Sequence, residues 1–336
     1  MKKTTKNKVI IFSHENDIDG MGSVILGKIV FNKIEYVLAS SVSRLESSFR
    51  NLLESGKLYS YDFIFVTDLA LDNPSLEMVS KDLHLKDKIR IFDHHKASID
   101  HNLDKYDFTT IIESDENGQK RCGTDLLYQY LLESNLIVQK DIINNFVELT
   151  RLEDTWDWKE AGDVGLKAHD MAILFNGLGI ENYIKCMVEK LNSNNQEITF
   201  AAKEQEIIKN KKEEYREKLQ ELWNEAEFFI DEFNNPFGVL YADYEYRNEI
   251  ADYIRNLNVD KKIKYIIIIA MNKGLYGQKS YRSIAKNFDV NKIAVNHGGG
   301  GHPEAASVNI TKGQKNKASA LTKRASLKYL VDSSWN

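Results

Sequence analysis

Three short apolar runs in the first hundred residues each end on a cluster of acids or histidines, and this pattern limits the chain to few folds. Lys8-Val9-Ile10-Ile11-Phe12 runs into Ser13-His14-Glu15-Asn16-Asp17-Ile18-Asp19-Gly20, Phe63-Ile64-Phe65-Val66 into Thr67-Asp68, and Ile89-Arg90-Ile91-Phe92 into Asp93-His94-His95-Lys96. Such β-branched and aromatic runs bounded by polar residues read as buried strands. In an open α/β sheet the ligand site lies beyond the carboxyl ends of the strands. Helical spacing over Gly22 to Ile34, Ser43 to Leu53 and Pro74 to Asp82 fills the gaps, which predicts a parallel sheet covered by helices. Gly123-Thr124-Asp125 opens a further helix to about Leu132. Another runs from Asp141 to Leu152 and leads into Glu153-Asp154-Thr155-Trp156-Asp157-Trp158, leaving Asp154 at a helix end.

A chain of 336 residues exceeds one ordinary hydrophobic core, so two domains of roughly 100–200 residues each are expected. From Ala201 to about Phe229 the sequence is rich in Lys and Glu, lacks Gly and Pro, and repeats apolar residues at helical intervals. It reads as one long connecting helix. Asn234-Asn235-Pro236 breaks it and is expected to act as a hinge. Beyond it come a strand from Phe237 to Tyr241, a helix from Asn248 to Leu257, a strand from Lys264 to Met271 and a hairpin through Lys273-Gly274 to Tyr281-Arg282-Ser283. The sequence then reaches His297-Gly298-Gly299-Gly300-Gly301-His302-Pro303-Glu304-Ala305-Ala306. The fold class is therefore α/β, with a parallel-sheet domain over 1–195, a linker helix over 196–235 and a smaller α/β domain over 236–336.

Cys122 and Cys186 are too few for a disulfide framework and form no C-x-x-C pair, which fits a reducing cytoplasm. The basic start leads into only five apolar residues, far too few for a signal-peptide core or a membrane span. A net charge of −5 gives no global basic field for long nucleic acid. A small phosphorylated ligand held by local cations remains compatible with it.

His14, Asp17, Asp19, Asp68, His94 and Asp154 offer two imidazoles and four carboxylates, a nitrogen and oxygen set suited to Mn²⁺ or a similar divalent ion. One octahedral ion could not use them all. Two ions about 3.5–4 Å apart and sharing a carboxylate would, and they would activate a water for in-line attack on phosphorus. Taken singly, Asp-x-Asp-Gly is often a turn, Asp93 can cap a helix, and a helix-end acid is commonly structural. Their joint occurrence at three strand ends favours function. Gly298 to Gly301 before His302 allows close backbone approach to an anion, with a following helix start expected to add its dipole. Arg282 upstream is a suitable bidentate phosphate partner.

These residues resemble the DHH phosphoesterases, named for the triplet seen here as Asp93-His94-His95. The resemblance covers nearly the whole chain, and a DHHA1-like second domain is marked by Gly299-Gly300-Gly301-His302-Pro303-Glu304-Ala305-Ala306. It implies that His14, Asp17 and Asp68 bind one ion and that Asp19, Asp68, His94 and Asp154, or Asp157 in place of Asp154, bind the other; two divalent ions, Mn²⁺ by the donor set, are the cofactors expected. It further implies that His95 contacts the scissile phosphate while Asp93 orients a ligand histidine. Arg282, Gly299, Gly300, Gly301 and His302 would bind substrate.

The pattern is most similar to the nanoRNase members. The function expected is a metal-dependent phosphodiesterase, exonuclease-like, that converts short oligoribonucleotides or linear dinucleotides to mononucleotides. A cyclic mono- or dinucleotide phosphodiesterase or a 3′-phosphoadenosine 5′-phosphate phosphatase is the near alternative, and a non-catalytic nucleotide-binding protein the more distant one. The expected partners are a short oligonucleotide or dinucleotide, with neither membrane nor long nucleic acid, and a homodimer is left open.

Overall fold

The computed structural model describes residues 5–247, 249–257, 262–270, 277–319 and 327–330. The chain divides into two compact units, Met1–Lys211 and Lys212–Asn336.

In the first unit, β1 (Thr5–His14), β2 (Phe31–Ala39), β3 (Phe63–Thr67), β4 (Ile89–Asp93) and β5 (Thr109–Ile111) form a wholly parallel sheet in the order β2-β1-β3-β4-β5. Helices α1 (Ile18–Val30), α2 (Val42–Glu54), α3 (Asn73–Lys81), α4 (Leu83–Lys86) and α5 (Lys96–Asp100) lie between the strands in sequence. They are followed by α6 (Gly123–Glu133), α7 (Asp141–Asp154), α8 (Gly162–Leu178) and α9 (Ile180–Leu191). Successive side chains of a strand point to opposite faces, and both faces are covered here. Val9 and Ile11 join a core with α1 and α6 to α9, whereas Ile10 and Phe12 join another with α2 and α3. Burial on both faces is why β1, β3 and β4 are apolar without alternation. The chain passes from β2 back across β1 to β3, so β1 and β3 flank the topological switch point where such sheets hold ligands.

Two boundaries differ from the sequence reading. Helix α1 begins at Ile18 because Asp17 caps it, accepting from the Gly20 amide at 2.9 Å. It ends at Val30, and the stretch expected to continue it to Ile34 is the edge strand β2, paired with β1 from Phe31 onward.

Helix α10 (Ala202–Asn224) stops short of Phe229. Its Ile208 belongs to the core of the first unit, and its Leu219 and Leu222 to that of the second. The aromatic and β-branched residues that follow form β6 (Glu227–Ile230), antiparallel to β7 (Pro236–Tyr241). Asp231 ties the turn between them, accepting from the Phe233 amide at 3.0 Å and the Asn235 amide at 2.7 Å. Asn234-Asn235-Pro236 is therefore part of a hairpin inside the second unit rather than the expected hinge.

The second unit continues with α11 (Glu249–Asn256), β8 (Tyr265–Ala270), β9 (Gly277–Ser283), α12 (Val290–Asn296), β10 (Gly300–His302), β11 (Ala305–Ile310) and α13 (Lys312–Ser319). Its sheet runs β10-β11-β9-β8-β7-β6, with only β7 and β8 parallel among the described pairs. Asn248 and the hairpin connection through Met271, Lys273 and Gly274 lie outside the described residues. The glycine run leads into the β10–β11 hairpin and not into a helix start, so the dipole expected there is absent. Among the described residues no helix is long and apolar enough to cross a membrane.

Candidate metal centre

The carboxyl ends of β1, β3 and β4 are neighbours in the sheet, and their side chains converge with those of two helix ends. His14 ends β1 and its Nδ1 lies 2.6 Å from Asp17 Oδ2 and 3.6 Å from Asp68 Oδ2. Asp68 follows β3 in the left-handed region, φ 60, with its amide donating to the Phe92 carbonyl at 2.9 Å. His94 follows β4, and its Nε2 lies 3.4 Å from Asp68 Oδ1 and 3.3 Å from Asp154 Oδ2 at the end of α7. Asp19, in the first turn of α1, is fully buried and accepts from the amides of Gly123 and Thr124, each at 2.7 Å. The start of α6 is thereby fixed to the start of α1.

Two glycines make this convergence feasible. A Cβ at Gly20 would lie 2.0 Å from the His14 carbonyl oxygen, and one at Gly123 would lie 2.7 Å from the Asp68 backbone nitrogen. The Asp-x-Asp-Gly motif thus carries its glycine so that α1 can start against the end of β1. Gly123 and Thr124, read from sequence only as a helix start, support the site through their amides.

Among the described residues, donor atoms within 4.8 Å of one another form three groups: His14, Asp17 and Asp68; Asp19, Asp68, His94 and Asp154; and Asp68, His94 and His95. The first two share Asp68. Asp157 stands apart, held by Lys120 at 2.8 Å and by Arg151 at 3.2 Å. Asp93 accepts from His95 Nδ1 at 2.7 Å, from the His94 and His95 amides at 2.9 and 3.3 Å, and from the Ser98 hydroxyl. The histidine that Asp93 orients is therefore His95 and not the ligand candidate His94.

Burial, and then the charges of Asp17, Asp19 and Asp154, hold the Asp68 carboxyl well above the ordinary carboxylate range. Burial followed by the charges of Asp19 and Asp17 does the same to Asp154. Asp17 is opposed by burial, yet the hydrogen bond and charge of His14 keep it below its usual value. Burial depresses His94, whereas the Asp93 hydrogen bond raises His95. Asp68 Oδ2 and Asp154 Oδ2 are buried and accept no hydrogen bond. Buried carboxylate oxygens without donors, set among like charges, are costly unless a cation neutralises them. The mixed imidazole and carboxylate set also suits a divalent ion, so these residues fit a metal.

In the second unit Arg282 pairs across the sheet with Ala305, and Ala305 with His302. Arg282 and His302 therefore share one face, a strand apart. Arg282 is buried, with Nη1 donating to the Tyr281 carbonyl at 3.0 Å, and His302 is exposed. A Cβ at Gly299 would lie 2.1 Å from the Ser307 carbonyl oxygen, and one at Gly301 2.5 Å from that of Ala305. Close packing of the hairpin accounts for these two glycines.

A doubly covered parallel sheet with two donor groups sharing one aspartate at its switch point defines the class. In fold and in this arrangement of donors the chain is similar to the DHH phosphoesterases, a family of metal-dependent hydrolases. It is 29% identical over 303 residues, 90% of its own length and 72% of the relative's, to the oligoribonuclease NrnB of Bacillus subtilis. Its fold is similar to that of a structure described as the DHH domain of a member of a family of ribosomal proteins. That likeness has a TM-score of 0.59 and 14% identity, and covers 98% of this chain and 86% of the other. A pGpG-specific phosphodiesterase from Vibrio matches at a TM-score of 0.46 and 14% identity, over 97% and 99% of the two chains. No protein-family model matches the chain.

Proposed function

We propose that this chain is a 3′,5′-phosphodiesterase that hydrolyses short oligoribonucleotides or linear dinucleotides to mononucleotides with two Mn²⁺ ions. The observation that carries this reading is Asp68, one buried carboxylate common to two complete donor groups, in a chain related to an oligoribonuclease. His14, Asp17 and Asp68 would hold one ion, and Asp19, Asp68, His94 and Asp154 the other. When bound, the ions supply neutralisation of the phosphate charge and activation of water.

The protein's own groups supply position and a proton. His95 is half-exposed and keeps its Nδ1 on Asp93, which leaves Nε2 to face substrate. The Asp93 hydrogen bond holds His95 above the ordinary imidazole range, and the charged ring would offer an Nε2 proton to a non-bridging oxygen of the scissile phosphate. Asp93, fully engaged by donors, fixes that ring. In the second unit we assign substrate contacts to Arg282, Gly299, Gly300, Gly301 and His302, with the Arg282 guanidinium as the partner for a phosphate. The two free cysteines, Cys122 and Cys186, are in keeping with a reducing, cytoplasmic location.

The test is release of mononucleotide from an end-labelled diribonucleotide with Mn²⁺, beside cyclic dinucleotide, cyclic AMP, 3′-phosphoadenosine 5′-phosphate and pyrophosphate. The diribonucleotide should be turned over fastest, and rates should fall as the substrate lengthens from two to ten nucleotides. Faster turnover of a cyclic nucleotide or of pyrophosphate would overturn the substrate assignment, and full activity in chelator would overturn the metal reading.

A further inference from the structure

Resting on the nucleotide reading above, we propose that Trp156 is the platform on which the nucleobase beside the scissile phosphate stacks. Trp156 follows the last turn of α7, two residues after Asp154, with φ 65. Its amide donates to the Glu153 carbonyl at 3.2 Å, while the Thr155 amide donates to that of Arg151 at 3.0 Å. This left-handed position after a helix is ordinarily filled by glycine, and a bulky side chain there is a backbone outlier. Outliers of that kind concentrate at functional sites. Two peptide units separate the Trp156 Cα from that of Asp154, a span of at most about 7.6 Å.

The neighbouring tryptophan provides the contrast. Trp158 stacks on His169, with ring centroids 4.1 Å apart and planes 9° apart, and packs against the core of the first unit. Packing explains Trp158. Trp156 is 42% exposed and does not join that core, so packing does not explain it. The Lys159 ammonium lies 4.7 Å from the centre of the Trp156 ring. An aromatic face beside a cation is the combination that binds single-stranded bases with little regard to sequence. The segment is also held in place from outside. Lys120 Nζ donates to the Thr155 carbonyl at 2.9 Å and to Asp157 at 2.8 Å, and Arg151 donates to Asp157 at 3.2 Å.

The decisive variant is Trp156→Gly, because glycine suits the left-handed backbone and the fold should be retained. Its KM for a diribonucleotide should rise about tenfold, in line with the loss of one base stack, with metal content and turnover of a base-free diester, the abasic ribose–phosphate–ribose analogue of that dinucleotide, unchanged. By calorimetry its affinity for AMP should fall by a similar factor while that for ribose 5-phosphate stays the same, and Trp156→Phe should restore most of both. Unchanged KM and AMP affinity would overturn the proposal. An equal loss on the base-free diester would do so too, since Trp156 would then only support Asp154. A wild-type chain that binds AMP through Trp156 yet fails to cleave diribonucleotides would uphold the stacking platform and sink the hydrolytic reading instead.

Discussion

Asp68 concentrates the conflict that defines the site: it is buried, lies in the left-handed region, and has one oxygen without a donor among four other aspartates. An ionised carboxylate in that setting destabilises the metal-free protein, and removing it should therefore stabilise the fold while abolishing its use. Asp68→Asn, whose side chain tolerates the same backbone, is expected to raise stability in chelator by about 0.5–2 kcal/mol and to lose the response to Mn²⁺ altogether. Unfolding curves with and without metal decide this, and a variant that Mn²⁺ still stabilises would remove Asp68 from the shared position. Asp93 and His95 separate by the same logic. His95→Ala should keep its metal and lose turnover, whereas Asp93→Asn leaves the metal donors in place but frees the His95 ring, and should lower turnover with a smaller change in metal content. Metal analysis of both variants, with matching large losses, would instead make His95 a ligand. The clustered acids and histidines were readable in sequence because each follows an apolar run. The partner of Asp93 was not, since nothing in Asp93-His94-His95 says which ring turns back toward the carboxylate.

At the level of elements, the site depends on helix starts packed against strand ends. Gly123→Ala would drive a Cβ to 2.7 Å from the Asp68 nitrogen and 3.0 Å from its Cα, and backbone cannot yield as a side-chain tip can. Overpacking of this kind costs about 1–3 kcal/mol. Displacement of Asp68 should also weaken Mn²⁺ binding by something like 10–100-fold, the range for groups that support ligands. Calorimetric titration showing wild-type affinity in Gly123→Ala would mean that the close approach is not what positions Asp68. The strands carrying the site were legible as uninterrupted apolar runs. Strand β2 was not, because Phe31 and Ile34 continue the helical spacing of Ile29 and Val30, and only pairing with β1 decides the conformation. Strand β9 is the reverse case, a polar stretch, Gly277-Gln278-Lys279-Ser280-Tyr281-Arg282-Ser283, lying buried between β8 and β11. Its Lys279 donates to the Leu330 carbonyl at 2.6 Å, and burial pushes the ammonium down to about 8. Between that value and the ordinary lysine range near 10.5 the unfolded chain holds a proton that the folded chain does not, so stability should rise with pH across this window. Below it the buried charge costs on the order of 3 kcal/mol. Lys279→Met should flatten the rise, and an unchanged pH profile of unfolding would show that Lys279 is not its source.

Over the whole molecule, the division at Lys211 and Lys212 falls inside α10, where a continuous helical pattern offers no break for a sequence reader to find. The long helix was legible from its spacing. That its two halves belong to different cores was not, because Ile208 and Leu219 look alike until their neighbours are known. Every proposed metal donor lies in the first unit, and each unit has its own apolar cores. A ligand stabilises only the cooperative unit that binds it, by about 2.7 kcal/mol when present at 100 times its dissociation constant. Adding Mn²⁺ to chelated protein should therefore slow amide hydrogen exchange strongly in β1, β3, β4 and α6, and leave β7, β8 and β9 near their metal-free rates. Thermal unfolding followed by the same exchange measurement should show the two sheets parting company as Mn²⁺ rises. Equal protection of both sheets would mean that the units unfold as one body through α10, and that the metal stabilises the entire chain and not the first unit alone.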